Sequence, residues 1–377
     1  MSEQIETIVI GGGQAGLAVG YHLHRNGLPF LILDENPRIG DVWRNRWDSL
    51  RLFTPAAYSG LPGMPFPGPR SAYPTKDETA AYFEVYAERF GLPVRTGVKV
   101  DRLSDTGDGF VVTAGGDQFF ADNVVVATGA YQHPNVPSFS AQFDNNVVQL
   151  HSTEYHNPDQ LREGGVLVVG AGNSGAEIAL DIASHHQVWL SGPDTGQEPT
   201  RAGTIPDRLL TPILWLAATR LTVRTAPGRK LRDRFIDPPR GIPLGRVRRK
   251  DIVAAGIERV ARTTGVSDGY PVLEDGSVLE VSNVIWCTGF THDYGWIAPP
   301  IAVDKGFPIH NRGIVESRPG LYFIGLRFLY SLSSALLGGV GRDAEYIVDH
   351  IVATRQGSKE LVTKERNGES FQPPARK

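Results

Sequence analysis

The sequence predicts an α/β protein of two similar lobes, each built on a short parallel sheet, and three observations predict it. A glycine turn spaced G-x-G-x-x-G joins a strand pattern to a helix pattern in "IETIVIGGGQAGLAVGYHLHRNG". The same device returns 159 residues later in "GVLVVGAGNSGAEIALDIASHH". Behind each turn an apolar strand ends in Thr-Gly, "DNVVVATG" and "SNVIWCTG", with Thr128 and Thr288 offset by 160. Two independent markers repeating within one residue of each other indicate a duplicated βαβ unit.

In the first lobe, Gly11, Gly13 and Gly16 follow a predicted strand and open a predicted helix, the context in which this spacing has meaning. Gly11 permits the tight turn, Gly13 lets backbone approach a pyrophosphate, and Gly16 lets helix and strand pack closely. With Gln14 and Ala15 they offer the unpaired N–H groups of a helix N-terminus to phosphates. Asp34 ends the next strand, "FLILDE", where a carboxylate accepts hydrogen bonds from a ribose. Ala127, Thr128 and Gly129 close the strand that follows the expected glycine-rich β-meander. The two lobes are thus Rossmann-like dinucleotide-binding units.

Gly170, Gly172 and Gly175 repeat the turn, with Asn173 and Ser174 as side-chain donors at the helix start and Thr288 and Gly289 at the matching strand end. The second strand, "QVWLSG", ends at Ser191 and not at an acid, which leans toward NADP over NAD. Arg201 is the nearest arginine for a 2′-phosphate. Residues 201–250 carry thirteen basic against three acidic side chains, and "DPPRGIPLGR" argues against one continuous helix. This segment reads as a basic insertion in the second lobe. The boundaries expected are 1–155 plus 315–377 for the first lobe and 156–314 for the second. "LYFIGL", with Gly325, predicts one more buried strand, and the loop Leu337–Gly341, including Gly338 and Gly339, heads a last helix. The polar tail from Gln356 on is expected to fray.

Composition narrows the function. A hydrophobic share of 41%, a charged share of 21% and a net charge of −3 are those of a globular protein with no global attraction to nucleic acid. The apolar run Leu209–Ala218 is broken by Thr211 and Pro212 and falls short of the ~20 residues of a membrane span. Ile5–Ile10 already reads as a strand, so no targeting peptide is expected and a cytoplasmic location is the default. With Cys287 the only cysteine, no Cys-x-x-Cys pair exists for disulfide reduction, and Cys287 reads as a packed small hydrophobe. His22, His24, His185 and His186 form no metal-ligand pattern, so no metal is expected.

With these motifs in place the sequence resembles the class B flavin monooxygenases. It is most similar to a bacterial flavoprotein branch labelled as linked to cation transport, and more distantly to the plant indole-pyruvate monooxygenases. "GGGQAG", "IGDVWR", "WDSLRLFTPAAYSGLPGMPFPG", "YPTKDE", "HSTEY", "VVGAGNSGAEIA" and "ALLGGVGRDAEY" carry the resemblance. It implies FAD in the first lobe, NADP in the inserted second one, Gly40, Val42 and Trp43 along the FAD, and Asn173 and Ser174 on the nicotinamide dinucleotide. Two positions depart from the family pattern. In the linker signature F-x-G-x-x-x-H-x-x-x-Y/W, His151 and Tyr155 survive, while Asn145 and Val147 replace the Phe and Gly. Phe53 stands where animal-type members place an asparagine beside the flavin, an asparagine that the plant-like branch also lacks.

The function expected is an NADPH-dependent monooxygenase that passes one oxygen atom of dioxygen, activated at flavin C4a, to a small organic substrate. His151, Tyr155 and Phe53 are the residues expected near the chemistry. An NADPH oxidase or acceptor reductase is the alternative that Phe53 favours. A non-catalytic flavin-binding regulator linked to ion transport is a third, opposed by two intact glycine turns.

Overall fold

Thr7–Ile10 and Val166–Val169 are unbroken buried runs, as strands in the middle of a doubly covered parallel sheet must be. The computed structural model, which describes residues 2–199, 204–236 and 243–366, places each at the centre of a five-stranded parallel sheet. The first sheet runs Leu321–Phe323, Asn123–Val126, Thr7–Ile10, Phe30–Leu33, Val94–Arg95. The second runs Val148–His151, Asn283–Trp286, Val166–Val169, Val188–Ser191, Glu258–Val260. Their central registers match: Ile10 pairs with Leu33 and Val126, and Val169 pairs with Ser191 and Trp286. The repeat seen in the sequence is a repeat of structure.

Both lobe boundaries move toward the N-terminus. Val148–His151 hydrogen-bonds to Asn283–Trp286, so it belongs to the second sheet and not to the first lobe. Ile297–Ala298 pairs with Leu103 and Ser104 on the edge of the first lobe's meander, so the chain is back in that lobe well before residue 315. Between the sheets the chain crosses twice, and the crossings pair: His133–Pro134 runs antiparallel to Phe290–Thr291. The meander itself also differs between lobes. In the first it has three antiparallel strands, Arg102–Asp105, Phe110–Ala114 and Asp117–Ala121. In the second it is reduced to the hairpin Thr263–Ser267 with Tyr270–Leu273.

Leu337–Gly341 is the first turn of the last helix and not a loop ahead of it, because that helix spans Leu337–Arg366. Its glycines serve close approach: a Cβ on Gly338 would lie 2.3 Å from the Tyr58 carbonyl oxygen, and one on Gly339 2.0 Å from that of Ser333. The helix also continues past Gln356, where fraying was expected. It packs along the helix Gln14–Arg25, and together they cover one face of the first sheet.

Among its described residues the basic insertion forms the helices Ile205–Arg220 and Ala226–Ile236 and runs into the helix Arg249–Ala254. Sequence places it in the second lobe, yet it fastens to the first. Tyr73 Oη donates to Asp207 at 2.8 Å, and Trp215 packs on Tyr58 with ring centroids 5.2 Å apart. Arg342 Nη1 donates to the Thr219 carbonyl at 2.8 Å, and Val223 N to that of Tyr330 at 2.9 Å.

Candidate active site

Both glycine turns have one geometry. Gly11 and Gly170 each hold φ +110°, in the region that favours glycine. A Cβ on Gly11 would lie 2.7 Å from the Ala127 carbonyl oxygen, and one on Gly170 2.2 Å from that of Cys287. A Cβ on Gly16 would meet Gly11 O at 1.9 Å, and one on Gly175 would meet Gly170 O at 1.8 Å. Gly13 and Gly172 are the opposite case: a Cβ there would have nothing within 4 Å. Each is the N-cap of its helix, Gln14–Arg25 or Asn173–Ile182, and no side chain caps either helix. Each lobe therefore presents first-turn N–H groups and a partial positive charge to open space, which suits a phosphate.

Around the first turn the structure gathers residues far apart in sequence. Asp34, 8% exposed, accepts from Gly12 N at 2.5 Å, and its other oxygen accepts from Asn36 N and Nδ2, both at 2.8 Å. The carboxylate thus fixes the turn as well as facing it. Gln14 Nε2 donates to the Ala335 carbonyl at 2.8 Å, tying the turn to the start of the last helix. Ala15, Gly129 and Gly325 converge, since a Cβ on Gly325 would lie 3.0 Å from the Ala15 Cβ and 3.7 Å from the Gly129 Cα. Thr128 Oγ1 accepts from Gln132 Nε2. Gly40, at φ +89°, caps the short helix Asp41–Arg44. In it Val42 is 41% exposed, while Trp43 packs against the cores of both lobes. Phe53 is 48% exposed on the loop that follows Leu52.

The second lobe differs in detail. Asn173 is engaged at both ends of its amide, Nδ2 donating to the Pro243 carbonyl and Oδ1 accepting from Gly245 N. It therefore pins the returning end of the insertion over the second turn. Ser174 is half-buried beside it. The register corrects the position read for ribose selection. Gly11 N donates to Leu33 O and Gly170 N to Ser191 O, so Ser191 matches Leu33 and the counterpart of Asp34 is Gly192. Ser191 Oγ is turned away, donating to the Ala261 carbonyl at 2.9 Å. Arg201 lies outside the described residues. Among those described, Arg259 reaches this corner, Nη2 donating to the Gly192 carbonyl at 2.7 Å. Sequence reasoning missed it because it arrives on a distant edge strand.

His151 sits beneath the crossing ribbon and holds structure there. The His151 Nε2–H donates to the Gly289 carbonyl at 3.2 Å, and Nδ1 accepts from Thr153 Oγ1 at 2.9 Å. Its ring meets Phe290 edge-on, and burial pushes its pKa down. Thr288 Oγ1 donates to the Asn135 carbonyl on the neighbouring crossing. Tyr155 has no exposed surface and donates to Asp181 at 2.8 Å, so it is a core residue of the second lobe and reaches no substrate. Cys287 is likewise packed, its thiol pushed up to about 12 by burial. Glu177, 7% exposed on the second dinucleotide helix, is pushed up to about 7 by burial. Its partner Arg246 lies 3.4 Å away and donates at the same distance to the Arg51 carbonyl of the first lobe. Tyr58, Leu61, Phe66, Trp215 and Gly338 line a cavity of about 350 Å3 between the insertion and the last helix.

Two dinucleotide lobes, each with an open cradle at its glycine turn and joined by a paired ribbon, define a two-nucleotide oxidoreductase. Residues 8–214 match the family model for pyridine nucleotide-disulphide oxidoreductases. An oxidoreductase of Geobacillus kaustophilus described as CzcO-like is 41% identical over 93% of this chain and 99% of its own. The indole-3-pyruvate monooxygenase YUCCA1 of rice, Oryza sativa, is 36% identical over 47% of this chain and 45% of its own. Among solved structures, a flavin monooxygenase from Stenotrophomonas maltophilia, a double mutant, superposes with a TM-score of 0.74 at 28% identity, covering 93% of this chain and 99% of that one. The chain belongs to the pyridine nucleotide-disulphide oxidoreductase family and, within it, to the class B flavin-monooxygenase superfamily. It is a flavoprotein oxidoreductase, and a single cysteine denies it the dithiol chemistry in the family's name.

Proposed function

We propose that the chain is an NADPH-dependent FAD monooxygenase that transfers one oxygen atom of dioxygen to a small organic substrate. The observation that carries this reading is the paired cradle, open at Gly13 and at Gly172 in two lobes whose crossings are stitched together. FAD fits the first lobe. The N–H groups of the Gly13 turn would hold its pyrophosphate and Asp34 its ribose, with Gly325 and Leu337–Gly339 toward the ring end. When bound, FAD supplies hydride acceptance and the reaction with dioxygen.

The second cradle would take the hydride donor at Gly172 and Ser174, with Gly170 and Gly175 shaping the turn and Thr288 and Gly289 at the neighbouring strand end. Gly192 offers no carboxylate to repel a 2′-phosphate, and Arg259 stands beside it, which supports NADPH over NADH. His151 holds one proton on Nε2 against Gly289 O and so ties the end of its strand to the crossing ribbon. A cytoplasmic location, where NADPH is available, is part of this reading.

Phe53, at a position where animal-type members carry asparagine, favours a second reading, NADPH oxidation without oxygen transfer. The two separate by stoichiometry. Peroxide release equal to NADPH consumed, across amines, thioethers, ketones and indole-type acids, sinks the monooxygenase. Oxygenated product with peroxide well below NADPH consumed supports it.

A further inference from the structure

The helix Ile205–Arg220 wears its amphipathic pattern inside out. Its inward face holds Asp207, 6% exposed and hydrogen-bonded to Tyr73 Oη and Thr211 Oγ1, together with Thr219, whose carbonyl accepts from Arg342. Its outward face carries Ile205, Leu209, Ile213 and Leu216, which are 73%, 70%, 63% and 54% exposed. Steps of four, four and three place them on one stripe. The same helix carries exposed Arg208 and Arg220, and the segment that follows it adds exposed Arg224, Arg229, Lys230 and Arg234, with Arg224 5.9 Å over the Tyr330 ring and Arg229 donating to the Val223 and Arg224 carbonyls. Among the described residues 204–236 the one exposed acid is Asp233, and Arg232 already pairs with it at 2.9 Å.

We propose that this helix lies in the surface of an anionic lipid bilayer, with the aliphatic stripe among the acyl chains and the arginines at the headgroup phosphates. An apolar stripe flanked by cations is the pattern of an interfacial helix, whose binding adds buried apolar area to attraction by anionic lipid. No helix among the described residues is long and apolar enough to cross a membrane, so the helix rests on the surface. A second copy is a poor cover for the stripe. Pairing it with itself would bring the same arginines together, and among the described residues 204–236 no free exposed acid offsets them. The stripe also lacks the aromatic anchors that dominate protein interfaces, Trp215 facing inward onto Tyr58. The cavity lined by Trp215 opens beneath this same helix. This assignment stands on the insertion alone and does not depend on which reaction the flavin site performs.

The test is co-sedimentation of the full-length, FAD-loaded protein with vesicles of phosphatidylcholine mixed with phosphatidylglycerol, against vesicles of phosphatidylcholine alone. The parent is expected to bind the anionic vesicles and to release at high salt. Each cation removed, as in Arg208→Gln and Arg224→Gln, is expected to weaken binding about fivefold. The double variant Leu209→Ser, Ile213→Ser is expected to abolish it while keeping the flavin absorbance and melting temperature of the parent, since both side chains are exposed. Failure of the parent to bind anionic vesicles, or equal binding by parent and double variant, overturns the proposal. A lipid-free dimer in sedimentation velocity that the double variant dissociates also overturns it, and assigns the stripe to a second copy.

Discussion

Gly13 and Gly16 stand three residues apart in one motif and answer to different forces. A side chain on Gly16 must displace backbone only 1.9 Å away, so Gly16→Ala is expected to cost stability, about 3 kcal/mol or more, and to fail in expression or melt early. A side chain on Gly13 displaces nothing, and its φ of −79° accepts any residue. Gly13→Val is therefore expected to fold with near-parental melting temperature and to emerge colourless. Retention of a full complement of FAD by this variant would remove the first cradle from the proposal. Glu177 offers a second test by pH. Its folded-state pKa is raised from 4.5 to about 7, so the stability it contributes is full below 4.5 and is lost as pH rises through about 7. Parent and Glu177→Gln should diverge in that window by on the order of 3 kcal/mol, the parent weakening toward alkaline pH. Identical pH profiles of melting temperature would show that Arg246 already offsets the burial.

Among the elements, those driven by local pattern were legible. The central strands announce themselves as apolar runs, the two dinucleotide helices by their glycines, and the last helix by the glycine run that heads it. The lobe boundary was not legible, because Val148–His151 reads like any strand and only its partner Asn283–Trp286 decides which sheet owns it. The docking of the insertion was equally hidden, resting on Asp207, Thr219 and Val223, three residues of no special type, finding partners more than a hundred positions away. In the candidate site, turn chemistry could be read from glycine spacing, whereas Gly192 and Arg259 needed the strand register. His151 belongs to this scale, since it joins the end of a strand to the crossing ribbon. His151→Ala removes one of the two donors to the Gly289 carbonyl, Asn135 N at 2.9 Å remaining, a loss of about 0.5–1.5 kcal/mol confined to the ribbon. Flavin content is expected to stay intact while more of the NADPH consumed returns as hydrogen peroxide. Unchanged coupling in this variant would reduce His151 to a turn cap.

For the whole molecule, the division of labour between lobes should show in cofactor choice. Replacing Arg259 by alanine removes a cation beside Gly192 without touching the first lobe. The dissociation constant for NADPH is expected to rise by about 1.5–3 kcal/mol, with that for NADH unchanged and flavin content intact. The same measurement on Arg201→Ala tells which arginine carries the preference. Equal constants for the two nucleotides in the parent would end the case for NADPH.

The ribbon of His133–Pro134 against Phe290–Thr291 governs how the lobes share that work. A domain hung on one strand swivels like a bead on a thread, free about every axis. Two crossings bonded side by side form a strap with width, which bends across its flat face and resists twisting. Thr288 and Asn135 add rivets along its edge. With the insertion also bonded to Tyr73, Tyr330 and Arg342 of the first lobe, such a strap holds the two cradles in one register.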